Sequence, residues 1–194
     1  MKRTAVIVVG GSAGSLEALL VLLPELPATF AVPAVIVMHM SAHHPSLLPE
    51  ILARKCRLPV VEIEDKQPLI AGTIYVAAPG YHVLFERDGT LALSADDAVN
   101  HSRPSIDVAF ESAADAFGAG VVAIVLSGGN DDGARGVVRI LEAGGIVLVQ
   151  DPASARHPVM PRAALARAGE SVRVGRPAEL ARTLIALATE ETSA

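Results

Sequence analysis

Three short polar segments carry residue types that do chemistry together. The first is Gly10–Gly11–Ser12–Ala13–Gly14, a hydroxyl framed by glycines straight after an apolar run. Glycines on both sides permit a sharp turn that lifts a serine beyond the end of a strand. The following helix would aim its N-terminal amides at the same place, where an oxyanion needs them. Taken alone, the segment serves equally as a nucleophile turn or as a phosphate cradle, although it lacks the Gly-Lys-Ser/Thr ending of a nucleoside-triphosphate loop. The second is His39, directly after the apolar run 34–38. The third is Ser127–Gly128–Gly129–Asn130–Asp131–Asp132–Gly133, where one aspartate is expected to cap a helix and an acid to orient a histidine. Together they supply nucleophile, base and orienting acid, in the chain order serine, histidine, aspartate. That order differs from the α/β-hydrolases, so GGSAG does not signify membership of that fold. His43 and His44 add a metal reading to His39, but residues 41–45 read as a loop with no acidic ligand beside it. No metal and no cofactor is expected.

These loops fall where a parallel sheet would want them. Residues 4–9, 34–38, 121–126 and 146–149 are short apolar runs, the pattern of strands buried on both faces. Helical stretches at 15–23, 45–55, 105–117, 134–143, 161–167 and 177–189 alternate with them, and short strands are expected at 59–63 and 171–174. Between 73 and 94 the pattern changes. Residues 73–77, 82–86 and 90–94 are close-spaced, and Arg87–Asp88–Gly89 makes a tight turn, so an antiparallel β-hairpin excursion is predicted there. The fold class is therefore α/β: a doubly wound, mostly parallel sheet flanked by helices. Sites in such folds form outside the carboxyl ends of the strands, which is where Ser12, His39 and the Asp131–Asp132 pair lie.

Composition narrows the field. The 194 residues are 51% hydrophobic, enough for one sizeable core, so a single domain over 1–194 is expected. A formal net charge of −5 argues against a nucleic-acid footprint. The apolar runs are too short to insert in a membrane, and the lone Cys56 with no secretory pattern points to the cytoplasm. Cys56 itself reads as a packing residue, and His82 and His157 as solvated surface.

The ordered set of segments resembles the catalytic domain of the chemotaxis receptor-glutamate methylesterases, the CheB type. It comprises VIVVGGSAGSLEAL, VMHM, EDKQPLIAGTIYVAAPG, HSRPSIDVAFESAA, IVLSGGNDDGARG and GGIVLVQDPASARHPVMPRAAL, and covers nearly the whole chain. The resemblance implies a serine hydrolase with Ser12, His39 and Asp132 as its triad; the position just before the glycine selects Asp132 over Asp131. It implies hydrolysis of glutamate γ-methyl esters on the cytoplasmic helices of methyl-accepting chemotaxis receptors, giving glutamate and methanol, with deamidation of receptor glutamines in some relatives. Receptors, and other chemosensory signalling proteins, are the implied partners. His101, Arg103 and Ser105 form a family-like cluster; Arg103 reads either as a contact for the substrate's acidic surroundings or as a loop brace, the brace slightly favoured, and Ser105 as a helix cap. Met160 and Pro161 resemble the family's Met-Pro at a helix start lining the cleft.

The departures gather around the pocket. Gly129 stands where the two-component members carry methionine, Ala13 where some have threonine, and SAHHPSLLPE replaces a proline-glycine-phenylalanine run. The first strand begins at Thr4, so a stand-alone member or an excised domain is expected rather than a receiver-linked enzyme. A non-catalytic receptor- or signalling-protein-binding module of the same fold is the alternative these departures motivate. A phosphate- or nucleotide-binding enzyme using residues 10–14 is a third reading, disfavoured because no ribose-binding acid or phosphate lysine sits at the expected places.

Overall fold

The computed structural model describes residues 4–41 and 46–190. Strand β1 (Val6–Gly11) runs into helix α1 (Ser15–Leu22), and β2 (Ala34–Met38) is followed by α2 (Leu48–Ala53). Next come β3 (Val60–Glu62), β4 (Gln67–Pro68), β5 (Ile74–Val76), β6 (His82–Phe85) and β7 (Thr90–Ser94). Helix α3 (Ile106–Phe117), β8 (Val121–Val125), α4 (Ala134–Glu142), β9 (Ile146–Gln150), α5 (Val159–Ala168), β10 (Arg173–Gly175) and α6 (Pro177–Glu190) complete the order.

Seven strands pair in the order β10-β9-β8-β1-β2-β5-β3, every neighbour parallel. The chain leaves β1 toward β2 on one side and later returns to its other side with β8, so the strand order reverses at β1. A crevice opens at such a reversal point because the flanking helices lie on opposite faces. Alternation along the strands separates two cores. Val6, Val8, Val35 and Val37 face α3, α4 and α5 through Phe110, Ile140 and Met160. Ile7, Val9, Ala34 and Ile36 face α1, α2 and α6 through Leu19, Leu52 and Leu184. Both faces of the central strands are thus covered, which is why their sequences read as unbroken apolar runs.

The antiparallel excursion is a separate three-stranded sheet, β4-β7-β6. One expectation needs correcting. The stretch around 73–77 is not part of that excursion: Ile74–Val76 is fully buried and pairs parallel with β2 and β3. The third strand of the small sheet is instead Gln67–Pro68, which pairs with β7 and is too short and too polar to register as a strand. The small sheet packs on the outer side of α3, where Phe85 meets Phe117 edge-on at 6.2 Å between ring centroids. Helix α3 is therefore enclosed between two sheets, and Ile106, Ala109, Phe110 and Ala113 are all fully buried. Of the predicted 45–55 helix, Leu48–Ala53 is helical; Pro45, with His43 and His44, lies outside the described residues.

Gly10 makes this enclosure possible. A Cβ there would collide with Cγ2 of Ile106 and lie 3.2 Å from Cζ of Phe110, both side chains fully buried in the core. The first residue of α3 can approach the end of β1 only over a glycine. Gly10→Ala is expected to cost about 1–3 kcal/mol of stability through overpacking, read from urea unfolding midpoints. An unchanged midpoint would show that α3 moves aside freely.

Candidate active site

Ser12, His39 and Asp132 follow β1, β2 and β8, the adjacent strands at the reversal point. β1 and β2 are in register through Gly11 opposite Met38, and the His39 amide donates to the Gly11 carbonyl at 3.3 Å. Ser12 and His39 are thus each the first residue beyond a paired strand end. The turn bearing Ser12 is built by its neighbours. Gly14 takes φ 77°, a left-handed conformation that favours glycine, while the Ser15 amide and hydroxyl both donate to the Ser12 carbonyl. Ser12 N–H donates to the Ser127 carbonyl at 2.9 Å, and the Ser127 hydroxyl donates to the Ala13 carbonyl at 2.8 Å. Ser127 thereby ties the glycine turn to the loop after β8. It also accepts from the His157 amide at 2.9 Å.

His39 meets Asp132 directly, with Nε2 2.7 Å from Oδ2 and the two side chains 15% and 0% exposed. Asp132 is not an α4 cap. Its carboxylate crosses to the N-terminus of α3, where it accepts from the amides of Ile106 at 2.7 Å and Asp107 at 3.1 Å, and from the Ser105 hydroxyl at 2.9 Å. The Gly133 amide donates at 3.1 Å. Burial pushes the Asp132 carboxyl up, but His39, the Ile106 and Asp107 amides and Ser105 together hold it below its ordinary value. Asp131, by contrast, is exposed. The α3–α4 arrangement is reciprocal: Asp107, 2% exposed on α3, accepts from the Gly136 amide in the first turn of α4 at 2.8 Å. Burial raises the Asp107 carboxyl, with the nearby Asp132 charge acting in the same direction and Gly136 and Arg135 against it.

An ionised carboxylate can only accept, so His39 Nε2 carries the proton and Nδ1 of the neutral ring is left as the basic nitrogen. Nδ1 faces Ser102 Oγ at 3.4 Å. Among the described residues no hydrogen bond joins the Ser12 hydroxyl to the His39 ring. The structure thus brings His39 and Asp132 into contact and sets Ser12 beside them without engaging it. A cleft of about 560 Å³ opens here, lined by His39, Met40, Ser41, Asp97, His101 and Arg103 among others. A larger cavity of about 680 Å³ lies at the opposite ends of the strands, next to Thr4, Phe30 and Phe117, remote from His39.

Other residues fall as follows. Arg103 braces its loop by donating to the carbonyls of Ala95 at 2.7 Å and Asp96 at 2.8 Å. Ser105 is the N-cap of α3, accepting from the Val108 amide, and holds Asp132 besides. His82, read from sequence as solvated surface, is 2% exposed. Its Nδ1 accepts from the Ser105 amide and its Nε2 donates to the Asp97 carbonyl, both at 3.1 Å, so it latches the loop onto β6. Nothing local to residue 82 signals this, because the covering loop is contributed by residues 95–105. His157 is exposed. Met160 is 1% exposed at the start of α5 and packs beneath Gly128, where a Cβ would meet its Cε at 2.5 Å; it supports the loop from within rather than lining open space. A Cβ at Gly129 would meet nothing within 4 Å. Cys56 is half-buried, and burial pushes its thiol up. Among the described residues no group of three His, Cys, Asp or Glu side chains is placed to hold a metal.

Fold and site together define a doubly wound α/β protein with a carboxylate-oriented histidine at its topological reversal point. Comparison with known proteins narrows this. The CheB methylesterase family model matches residues 7–184. A Leptospira interrogans protein, provisionally named protein-glutamate methylesterase/protein-glutamine glutaminase, is 43% identical over 159 residues, 82% of each chain. Pseudomonas aeruginosa protein-glutamate methylesterase/protein-glutamine glutaminase 3 is 37% identical over 84% of this chain, but the match spans 49% of that protein. The crystal structure of the Thermotoga maritima CheB methylesterase catalytic domain superposes with a TM-score of 0.90 at 27% identity, covering 96% of this chain and 100% of that one. The chain belongs to the CheB methylesterase family.

The two buried carboxylates titrate in opposite senses. Asp132, depressed in the fold, stabilises it at pH above the ordinary aspartate value, and this contribution is lost as pH falls through the depressed value. Asp107, raised in the fold, contributes most at low pH and loses that contribution as pH rises through its raised value. The stability gap between wild type and Asp132→Asn, measured by urea unfolding from about pH 7 to about pH 3, is expected to shrink as the medium becomes acid. A gap that stays constant over that range contradicts the assignment of Asp132 as a strongly stabilised anion.

Proposed function

We propose that this protein is a serine hydrolase that cleaves glutamate γ-methyl esters on the cytoplasmic helices of methyl-accepting chemotaxis receptors, acting in the cytoplasm. The observation that carries the mechanism is the 2.7 Å contact between His39 Nε2 and the buried Asp132, set beside the strand end that bears Ser12. The names and family of the relatives support the substrate class.

Ser12 Oγ attacks the ester carbonyl carbon while its proton passes to His39 Nδ1. Nε2 keeps its own proton toward Asp132, whose negative charge steadies the imidazolium that forms. Backbone amides of the glycine turn take the oxyanion. Collapse breaks the carbon–methoxy bond, and Nδ1 returns the proton to the departing oxygen as methanol leaves. Water then attacks the acyl-enzyme, giving its proton to Nδ1, and Ser12 recovers a proton as glutamate is released. A glutamine side chain presents the same carbonyl with ammonia as leaving group, so protein-glutamine deamidation follows the same steps. No helix among the described residues is long and apolar enough to cross a membrane.

Methanol release from methylated receptor fragments tests this reading. Ser12→Ala is expected to lose about 10³-fold or more in kcat, and Asp132→Asn about 10³–10⁴-fold because the amide no longer enforces the Nε2–H tautomer. A fluorophosphonate probe is expected to label Ser12. Full activity in Ser12→Ala would overturn the mechanism; absence of labelling with intact receptor binding would favour a non-catalytic binding module.

A further inference from the structure

We propose that Ser102 is a positioning residue for the base, a second hydrogen-bond partner that holds the His39 ring by Nδ1 until Ser12 engages it. The proposal rests on the reading of His39 as the general base. Asp132 fixes only one nitrogen of the imidazole, and a ring held at one point can still swing about that bond. Ser102 Oγ, 3.4 Å from Nδ1, supplies the other point.

The loop is built to present this hydroxyl. Val99 and Ser102 pair through two backbone bonds, at 3.2 and 2.9 Å, closing a tight turn over Asn100 and His101. Both central residues are left-handed, at φ 50° and 61°, a conformation in which asparagine and histidine are enriched among non-glycine residues. Side-chain bonds hold the turn in place. Asn100 Nδ2 donates to Asp107 Oδ2 at 3.1 Å, tying the turn to α3. Arg103 binds the Ala95 and Asp96 carbonyls, and His82 bridges Asp97 to Ser105. Every stretch flanking Ser102 is anchored, although neither Ser102 nor the turn is needed for the hydrophobic core.

The contact is also made to be released. The single Ser102 proton has two acceptors at equal range, His39 Nδ1 and the Asn100 carbonyl, each 3.4 Å away. With the ring neutral, Ser102 donates to Nδ1. When Ser12 takes Nδ1, the Ser102 proton turns to Asn100 and is not stranded. If the imidazolium forms with no oxygen of Ser12 or the leaving group in reach, Nδ1–H donates to Ser102 Oγ. Hydrogen bonds of this length exchange at little cost, and catalytic bonds are commonly long before substrate arrives.

The test compares Ser102→Ala and Ser102→Thr with wild type. Ser102→Ala is expected to lower kcat for ester hydrolysis about two- to fivefold, somewhat less than the worth of one well-formed hydrogen bond because the contact is long, with KM unchanged. The rate of fluorophosphonate labelling at Ser12 is expected to fall in the same proportion. Nitrogen-15 spectra in mildly alkaline buffer are expected to show His39 Nδ1 moving toward the position of a bare, unbonded imidazole nitrogen in Ser102→Ala. Ser102→Thr, which keeps the hydroxyl, is expected to restore all three readouts. Wild-type kcat and an unmoved Nδ1 resonance in Ser102→Ala sink the proposal alone, provided Ser12→Ala is inactive. An active Ser12→Ala enzyme, or a probe attached to Ser102, overturns the underlying reading as well.

Discussion

The carboxylate of Asp132 sits in the interior at the head of helix α3, and the arrangement around it follows from the need to keep it charged there. A buried, unpartnered carboxylate costs several kcal/mol and ordinarily protonates instead. Here the Ile106, Asp107 and Gly133 amides, the Ser105 hydroxyl and His39 all donate to it. Two of those amides are the orphan donors that begin a helix, where the dipole also favours an anion. The acid therefore satisfies the start of α3 while α3 holds the acid ionised. Moving either would leave buried polar groups without partners.

That mutual dependence propagates outward. Helix α3 must reach the end of β1, which only a glycine at position 10 allows. The head of α4 is satisfied in turn by Asp107 from α3, so the two helices cap each other across the loop carrying Asp132. The small antiparallel sheet covers the outer side of α3, and His82 at its edge grips the Ser105 amide just before the helix begins. A site with one histidine and one aspartate thus rests on two helices, two sheets and a loop, all meeting at α3.

The orientation of the imidazole has a chemical consequence. In proteases of the chymotrypsin kind the carboxylate holds Nδ1 and the serine meets Nε2. In this protein Asp132 holds Nε2, and Nδ1 faces Ser102, a residue that lines the cleft. Nδ1 lies nearer the histidine backbone, so in the proposed mechanism the proton would be taken close to the end of β2, next to the turn bearing Ser12. The reversal accompanies the placement of the carboxylate, which comes from the loop after β8 and is held against the N-terminus of α3.

Much of the scaffold was legible in the chain itself. Unbroken apolar runs announced strands buried on both faces, and polar residues right after them, glycine-framed at Ser12 and Asp132, marked the carboxyl ends where Ser12, His39 and Asp132 lie. These are local properties: periodicity and turn chemistry act over a few residues. The hairpin was legible for the same reason, whereas Ile74–Val76 was misplaced because a short apolar strand looks alike in a parallel or an antiparallel setting. What only the tertiary structure decided were the partners across the sequence. That Asp132 caps α3 and not α4, that Asp107 returns the favour, that His82 is buried, and that Ser102 faces Nδ1 all depend on segments tens of residues apart meeting at one point. Hydrogen bonds and burial are set by which surfaces come together, and no local pattern of residue types encodes that meeting.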